Sequence, residues 1–202
     1  MGSLQNDETD TAIHELGHGM VACVLDLPVS DIEIWQNEKI GWAGKCHLIP
    51  MDSLLPEAAI DTFNMGGALL QLLMVPNSVG KYVALFDPSL FSGSRQLIED
   101  DTPLQELFWA SDFWKSRFHV HADDILSGRS SEKPHLLDLE KRLRTFLGDS
   151  AVQALVTRLA KRLATEKRLT AAELKREFYE TVPAEKYSDL RKFVLSIPER
   201  IF

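Results

Sequence analysis

The chain has 202 residues, enough for one domain of ordinary size or for a domain with a small helical appendage. Hydrophobic residues make up 45% of it and charged residues 26%, which excludes the composition of a disordered chain. The net charge of −8 excludes any general attraction to nucleic acid or to anionic membranes, so we expect no nucleic-acid partner.

The N-terminus and the cysteines indicate where such a protein works. Residues 1–9 are polar and acidic, unlike a signal peptide, and we expect them to form a disordered or tag-derived tail. No apolar run reaches the length that crosses a bilayer, so we expect a soluble chain without membrane insertion. Cys23 and Cys46 form no CxxC pair, which argues against a thiolate zinc site and favours a reducing, cytoplasmic setting.

The first part of the chain predicts a helix followed by two strands. The helix should cover about Asp10–Asp26, because apolar residues dominate this segment and Pro28 then blocks its continuation. Val29–Trp35 alternates apolar and polar residues, as a half-buried strand does. Ile40–Ile49 has the composition of a second strand, so a small β element is expected directly after the first helix.

Helices dominate the remainder of the chain. Pro56–Val75 predicts one helix that contains Gly66-Gly67, and each glycine costs roughly 1 kcal/mol relative to alanine. Such a pair indicates close packing against a neighbouring element. A further helix is expected over Thr102–Phe118, and Thr170–Glu173 matches the capping-box pattern that opens a helix.

These elements predict a mainly α, α+β fold, in which a helical domain carries a small β-sheet beside the first helix. We assign residues 10–125 to the core of the domain. Residues 126–202 are assigned to a C-terminal helical subdomain that packs on this core.

The first helix contains the most specific motif of the sequence, His14-Glu15-Leu16-Gly17-His18. Side chains four residues apart lie on one helix face, so His14 and His18 can bind one Zn²⁺ ion. Zinc lowers the pKa of a bound water to about 7, and Glu15 would be the general base that takes its proton. Without a metal, two histidines on an apolar helix would be costly to bury. The pattern is that of a zinc metallopeptidase.

A catalytic zinc ion needs a third protein ligand and one open coordination position. No third histidine follows the motif at the spacing of the longer HExxHxxGxxH pattern, so this ligand must come from farther along the chain. The densest acidic segment is Glu99–Glu106. The isolated His47 and the pair His119 and His121 are more simply explained as structural or surface residues.

The stretch Thr11–Val21 resembles the AxHExGHAxV helix of the FtsH-type peptidase domain. Weaker similarities follow in the same order, including the strand Val29–Ile34 and the helix at Met65–Ala68. In that helix Leu70-Gln71 stands where the family has an acidic residue. The resemblance covers roughly residues 9–180 and implies a zinc-dependent endopeptidase with Zn²⁺ as its cofactor and a polypeptide as its substrate.

The resemblance also implies where the third zinc ligand lies. The family takes this ligand from a GAxxDLxxAT segment, and Glu106–Ser111 matches the DLxxAT part with Glu in place of Asp. Glu106 is therefore the implied ligand, with Asp101 as the alternative if the helix register is shifted. The family couples its peptidase to an ATPase module, whose Walker loop this chain lacks. The implied partner is a separate ATPase or further copies of the chain in a homo-oligomer.

Two alternative functions are left open by the sequence. ImmA-like regulatory peptidases also carry HExxH in a small soluble domain, and a non-catalytic module could use a peptidase fold to bind a partner. Site-2 proteases share HELGH, but their site lies within the membrane. For a peptidase, we expect the substrate to add as an extra strand on the edge formed by Val29–Trp35.

Overall fold

The computed structural model describes residues 7–38, 41–50, 56–75 and 133–197. The helix expected over Thr102–Phe118 lies outside these ranges. In chain order the elements are α1 (Glu8–Leu25), β1 (Val29–Asn37), β2 (Gly41–Leu48), α2 (Glu57–Met74), α3 (Lys133–Leu147), α4 (Ser150–Glu166), β3 (Arg168–Thr170), α5 (Ala171–Thr181), a 3-10 turn (Ala184–Lys186) and α6 (Ser188–Ser196). The predicted mainly α fold with a small sheet is confirmed. Within these ranges, no helix has the length and apolarity needed to cross a membrane.

Helix α1 begins two residues earlier than the expected Asp10. The carboxylate of Asp7 accepts a hydrogen bond from the Thr9 backbone N–H at 2.7 Å, and Glu8 adds negative charge to the first turn. Residues 7–9 therefore belong to the start of the helix and not to a disordered tail, which corrects the expectation for them. The helix ends where Asp26 adopts a left-handed conformation with φ of 55°.

Strand β1 lies in the centre of the sheet, whose order is β2-β1-β3, and both of its neighbours are antiparallel. Because β3 pairs with Asp31–Glu33, and Ile34 N–H donates to the Lys167 carbonyl at 3.0 Å, the side of β1 opposite β2 is already occupied. The expectation that Val29–Trp35 forms a free edge is therefore wrong. The sequence prediction missed β3, a three-residue strand from the distant C-terminal part of the chain that pairs with β1.

The core surrounds α1, whose residues from Thr11 onward are almost all buried. Helix α2 packs on one side of it, the sheet on another, and α4 and α5 complete the enclosure. One hydrophobic cluster joins side chains of residues 12–70 with side chains of residues 139–194. The C-terminal segment is tied to the sheet by the pairing of β3 with β1. Directly after β3, the predicted capping box opens α5, with Thr170 and Glu173 exchanging backbone and side-chain hydrogen bonds.

Glycines allow α1 and α2 to cross in backbone contact. A Cβ atom placed on Gly17 would lie 2.3 Å from the Gly66 carbonyl oxygen, and one on Gly66 would lie 2.6 Å from the Gly17 carbonyl oxygen. Neither backbone can yield as a flexible side chain would, so both positions require glycine. The close neighbour expected for the Gly66-Gly67 pair is thus the α1 backbone.

Replacing Gly17 by alanine tests this contact, because the contact and helix propensity predict opposite changes in the free energy of unfolding. Helix propensity alone would stabilise the Gly17→Ala protein by about 1 kcal/mol. The clash with the Gly66 carbonyl instead predicts destabilisation at or above the upper end of the 1–3 kcal/mol that is typical of overpacking. A protein of this size should then melt about 6–12 °C lower.

Thermal unfolding followed by circular dichroism measures the change. Thr157→Ala is the control, because Thr157 lies on the exposed face of α4 and its replacement should alter the melting temperature little. A higher melting temperature for Gly17→Ala would contradict the backbone contact.

Candidate metal centre

His14 and His18 direct their Nε2 atoms toward each other across one turn of α1. The two atoms are 3.2 Å apart, and the rings meet edge to face with centroids 4.9 Å apart. His18 is 3% exposed, whereas His14 is only partly buried, so the pair lies just beneath the surface. The spacing predicted from the sequence therefore brings both imidazoles to one point.

The other nitrogen of each ring is held by an acceptor on α2. His14 Nδ1 lies 3.2 Å from Gln71 Oε1, and His18 Nδ1 lies 2.7 Å from the Phe63 carbonyl oxygen. Both partners are acceptors, so the tautomer protonated at Nδ1 satisfies them, and in that tautomer Nε2 is the nitrogen that can bind a metal. This is the arrangement in which outer hydrogen bonds orient histidine ligands of a metal.

Two Nε2 lone pairs at this distance repel each other unless a proton or a cation lies between them. Two nitrogen ligands of a tetrahedral zinc ion, each roughly 2.0–2.1 Å from the metal, are about 3.3 Å apart. The observed 3.2 Å agrees with that value. The pair therefore fits two positions of a zinc site.

Gly67 keeps the space beside the two histidines open. A Cβ atom at this position would lie 2.4 Å from His18 Nε2 and 2.8 Å from His14 Nε2. Any other residue here would collide with both imidazole rings. Gln71 lies one helical turn beyond Gly67 and on the same face of α2. The sequence indicated close packing at Gly66-Gly67, but it did not indicate that Gly67 and Gln71 border the histidines.

Glu15 points to the sheet side of α1. Its side chain is 7% exposed and makes no hydrogen bond or ion pair within the described part of the chain. It lies against Gly44 of β2, where a Cβ atom would come within 2.5 Å of Glu15 Cγ and 3.0 Å of Glu15 Oε1. Burying a carboxylate without a partner is costly, which marks Glu15 as a candidate functional residue.

Cys46, on the same side of the sheet as Gly44, does not compete for this role. Burial raises the pKa of the Cys46 thiol well above its ordinary value, and the charge of Glu15 contributes in the same direction. Burial likewise raises the pKa of the Cys23 thiol to about 12. Both raised pKa values favour the protonated thiol, which is the unreactive form of cysteine.

The implied third ligands, Glu106 and Asp101, lie outside the described residues, as do His119 and His121. The choice between Glu106 and Asp101 stays a prediction.

A second group of metal-ligating types lies on the sheet. Asp31, Glu33 and His47 each offer one ligand atom, and these atoms lie within 4.8 Å of one another. Both carboxylates already have partners: Asp31 Oδ2 is 2.8 Å from Arg168 Nε, and Glu33 Oε1 is 2.8 Å from His47 Nε2. A hydrogen bond from Ser30, aided by the Arg168 charge, holds the pKa of Asp31 below its ordinary value. The group is accounted for as an ion-pair network, in line with the structural role predicted for His47.

No protein-family model, curated protein or solved structure matches the chain. The functional assignment therefore depends on the residues and geometry of this site.

Measuring zinc binding by single-residue variants distinguishes a metal site at the histidine pair of α1 from one at the group on the sheet. Wild-type protein should bind about one zinc ion per chain. His14→Ala and His18→Ala should each weaken binding by more than the roughly 10–100-fold that is typical of losing an outer-shell partner, because each removes a direct ligand. Elemental analysis after dialysis, together with competition against a chelator, measures stoichiometry and affinity.

His47→Ala is the matched control, since it removes a histidine from the other group and should leave zinc binding unchanged. Loss of zinc in His47→Ala, with retention in His14→Ala, would move the metal centre to the sheet. Glu106→Ala and Asp101→Ala, measured in the same series, decide the third ligand.

Proposed function

We propose that this protein is a zinc-dependent endopeptidase of the FtsH type, with Zn²⁺ held by His14, His18 and a third ligand from Glu106 or Asp101. The observation that carries the proposal is the arrangement on α1. Two histidines converge on one side with their Nε2 atoms 3.2 Å apart, and a buried carboxylate that makes no hydrogen bond or ion pair within the described part of the chain follows His14 directly. A purely structural zinc site needs no such carboxylate.

The residues of the chain divide the chemistry between them. Bound zinc would supply a Lewis acid that activates water and polarises the carbonyl of the substrate. Gln71 and the Phe63 carbonyl keep the two imidazoles in the tautomer that a metal requires. Glu15 accepts a proton from water at its carboxylate and returns it to the amine that leaves when the peptide bond breaks. Gly44 leaves this carboxylate room beside the sheet.

The polypeptide would dock on β2, since β1 is covered on both sides. Ile34 directs its backbone N–H away from β2 and toward the Lys167 carbonyl, so its antiparallel partner Gly44 must direct its own N–H and C=O away from β1. The same holds for Cys46, two residues farther along β2. These groups form a line of backbone donors and acceptors that runs past Glu15. An extended substrate can add there as a further strand.

This mode of binding recognises mainly backbone groups and therefore requires an extended, unfolded segment as substrate. In the FtsH-type reading a separate ATPase partner or a homo-oligomer would present such segments. An ImmA-like peptidase would instead act on one dedicated substrate by the same chemistry. The working location that we propose is the cytoplasm, where both cysteines would stay reduced.

Glu15→Gln tests whether the carboxylate is catalytic. The neutral amide cannot accept a proton, so cleavage of an unfolded, fluorescently labelled polypeptide should fall by about 10²–10⁴-fold while zinc content stays the same. Glu180→Gln makes the same chemical change on the exposed face of α5 and should leave the rate unchanged. Zinc-loaded wild type that cleaves no peptide would favour the non-catalytic binding module.

Backbone docking on β2 predicts an alternating response to N-methylation of a peptide substrate. Each methyl group that removes a hydrogen bond to β2 should lower kcat/KM by roughly 2- to 10-fold, and methyl groups at the intervening positions should have little effect. Peptides with a single N-methyl group at successive positions measure this pattern. A response without the two-residue period would count against docking on this strand.

A further inference from the structure

Lys45 lies at the centre of β2 on the face of the sheet that points away from α1. Its neighbours Gly44 and Cys46 face α1, because Gly44 contacts Glu15 and Cys46 is buried in the core. Side chains alternate between the two faces of a strand, so Lys45 belongs to the outer face, and it is exposed there.

The acidic side chains near Lys45 are paired with other groups. Glu33 is its cross-strand partner in the register, but the Glu33 carboxylate bonds to His47 Nε2 at 2.8 Å. Asp31, the next acidic residue on this face, bonds to Arg168. Lys45 itself makes no ion pair or hydrogen bond within the described part of the chain. The strand therefore presents a lysine ammonium that no ion pair of the described residues holds in place.

The backbone geometry of β2 places the Lys45 side chain close to the side chain opposite it in a docked substrate strand. Gly44 and Cys46 direct their N–H and C=O groups outward, so Lys45 between them is bonded inward to β1. An antiparallel strand added to β2 would thus face Lys45 in a non-hydrogen-bonded pair. In such pairs the Cα atoms are about 4.5 Å apart and the two side chains approach most closely.

We propose that Lys45 makes the enzyme selective for polypeptides that carry Asp or Glu at the residue opposite it. That residue is next in the substrate strand to the one that lies beside Gly44 and Glu15, so the acidic side chain sits within one or two residues of the cleaved bond. A carboxylate there pairs with the lysine ammonium, and a basic side chain is repelled by it. This inference rests on the proposed function and specifies its substrate class.

Three peptide series test the selectivity. They share one sequence and place Glu, Gln or Lys in turn at each position near the cleaved bond. For the wild type, kcat/KM should be about 2- to 10-fold higher for Glu than for Lys at one position only. Lys45→Glu should reverse this preference, and Lys45→Gln should abolish it. Lys192→Glu makes the same charge change on the exposed face of α6 and should leave the preference as in the wild type.

The outcomes separate this inference from the proposed function. Cleavage of all peptides at equal rates, or a preference that survives Lys45→Glu, overturns the selectivity and leaves the peptidase intact. If the wild type cleaves no peptide, the proposed function fails, and fluorescence anisotropy of the same peptides with the Glu15→Gln protein decides the inference. Tighter binding of the Glu peptide that is lost in a Glu15→Gln/Lys45→Gln double variant supports it, and equal or absent binding overturns it.

Discussion

The backbone contact between Gly17 of α1 and Gly66 of α2 is the constraint on which the candidate site depends. Because neither residue has a side chain, the two helices cross closely enough for the next residues of α2 to reach the histidines. Gly67 then borders both Nε2 atoms, and the Gln71 side chain bonds to His14. A bulkier residue at the crossing would push the two helices apart. The imidazoles of α1 would then move away from the α2 groups that bond to their Nδ1 atoms.

Helix α1 presents different chemistry to its two neighbours. The histidines, four residues apart, face α2, whereas Glu15 is one residue and about 100° farther round the helix and faces the sheet. Glycine recurs on both sides, at Gly67 next to the histidines and at Gly44 next to the carboxylate. The surrounding elements thus leave space at the points where a metal, a water molecule and a substrate would have to meet. The enclosure of α1 by the core holds these positions rigidly.

The sheet connects this site to its proposed substrate. Strand β3 covers one side of β1, and among the described residues the outward-pointing backbone groups beside Glu15 belong to β2. On the outer face, Arg168 from β3 forms an ion pair with Asp31, and His47 lies within hydrogen-bond distance of Glu33. Lys45 makes no ion pair with the described residues of this face. The C-terminal segment therefore shapes both the strand order of the sheet and the charges on its outer face.

The sequence by itself determined what is local: the histidine spacing, the capping box at Thr170 and the mainly α class. These follow from the helical repeat and from contacts between residues a few positions apart. Only the tertiary structure decided that β1 is central, that Gly44 borders Glu15, and that Gln71 bonds to His14 across 57 residues. A three-residue strand such as β3 has almost no pattern of its own and is stable only because it pairs with a distant partner. Long-range packing therefore set the site's surroundings, which no local periodicity encodes.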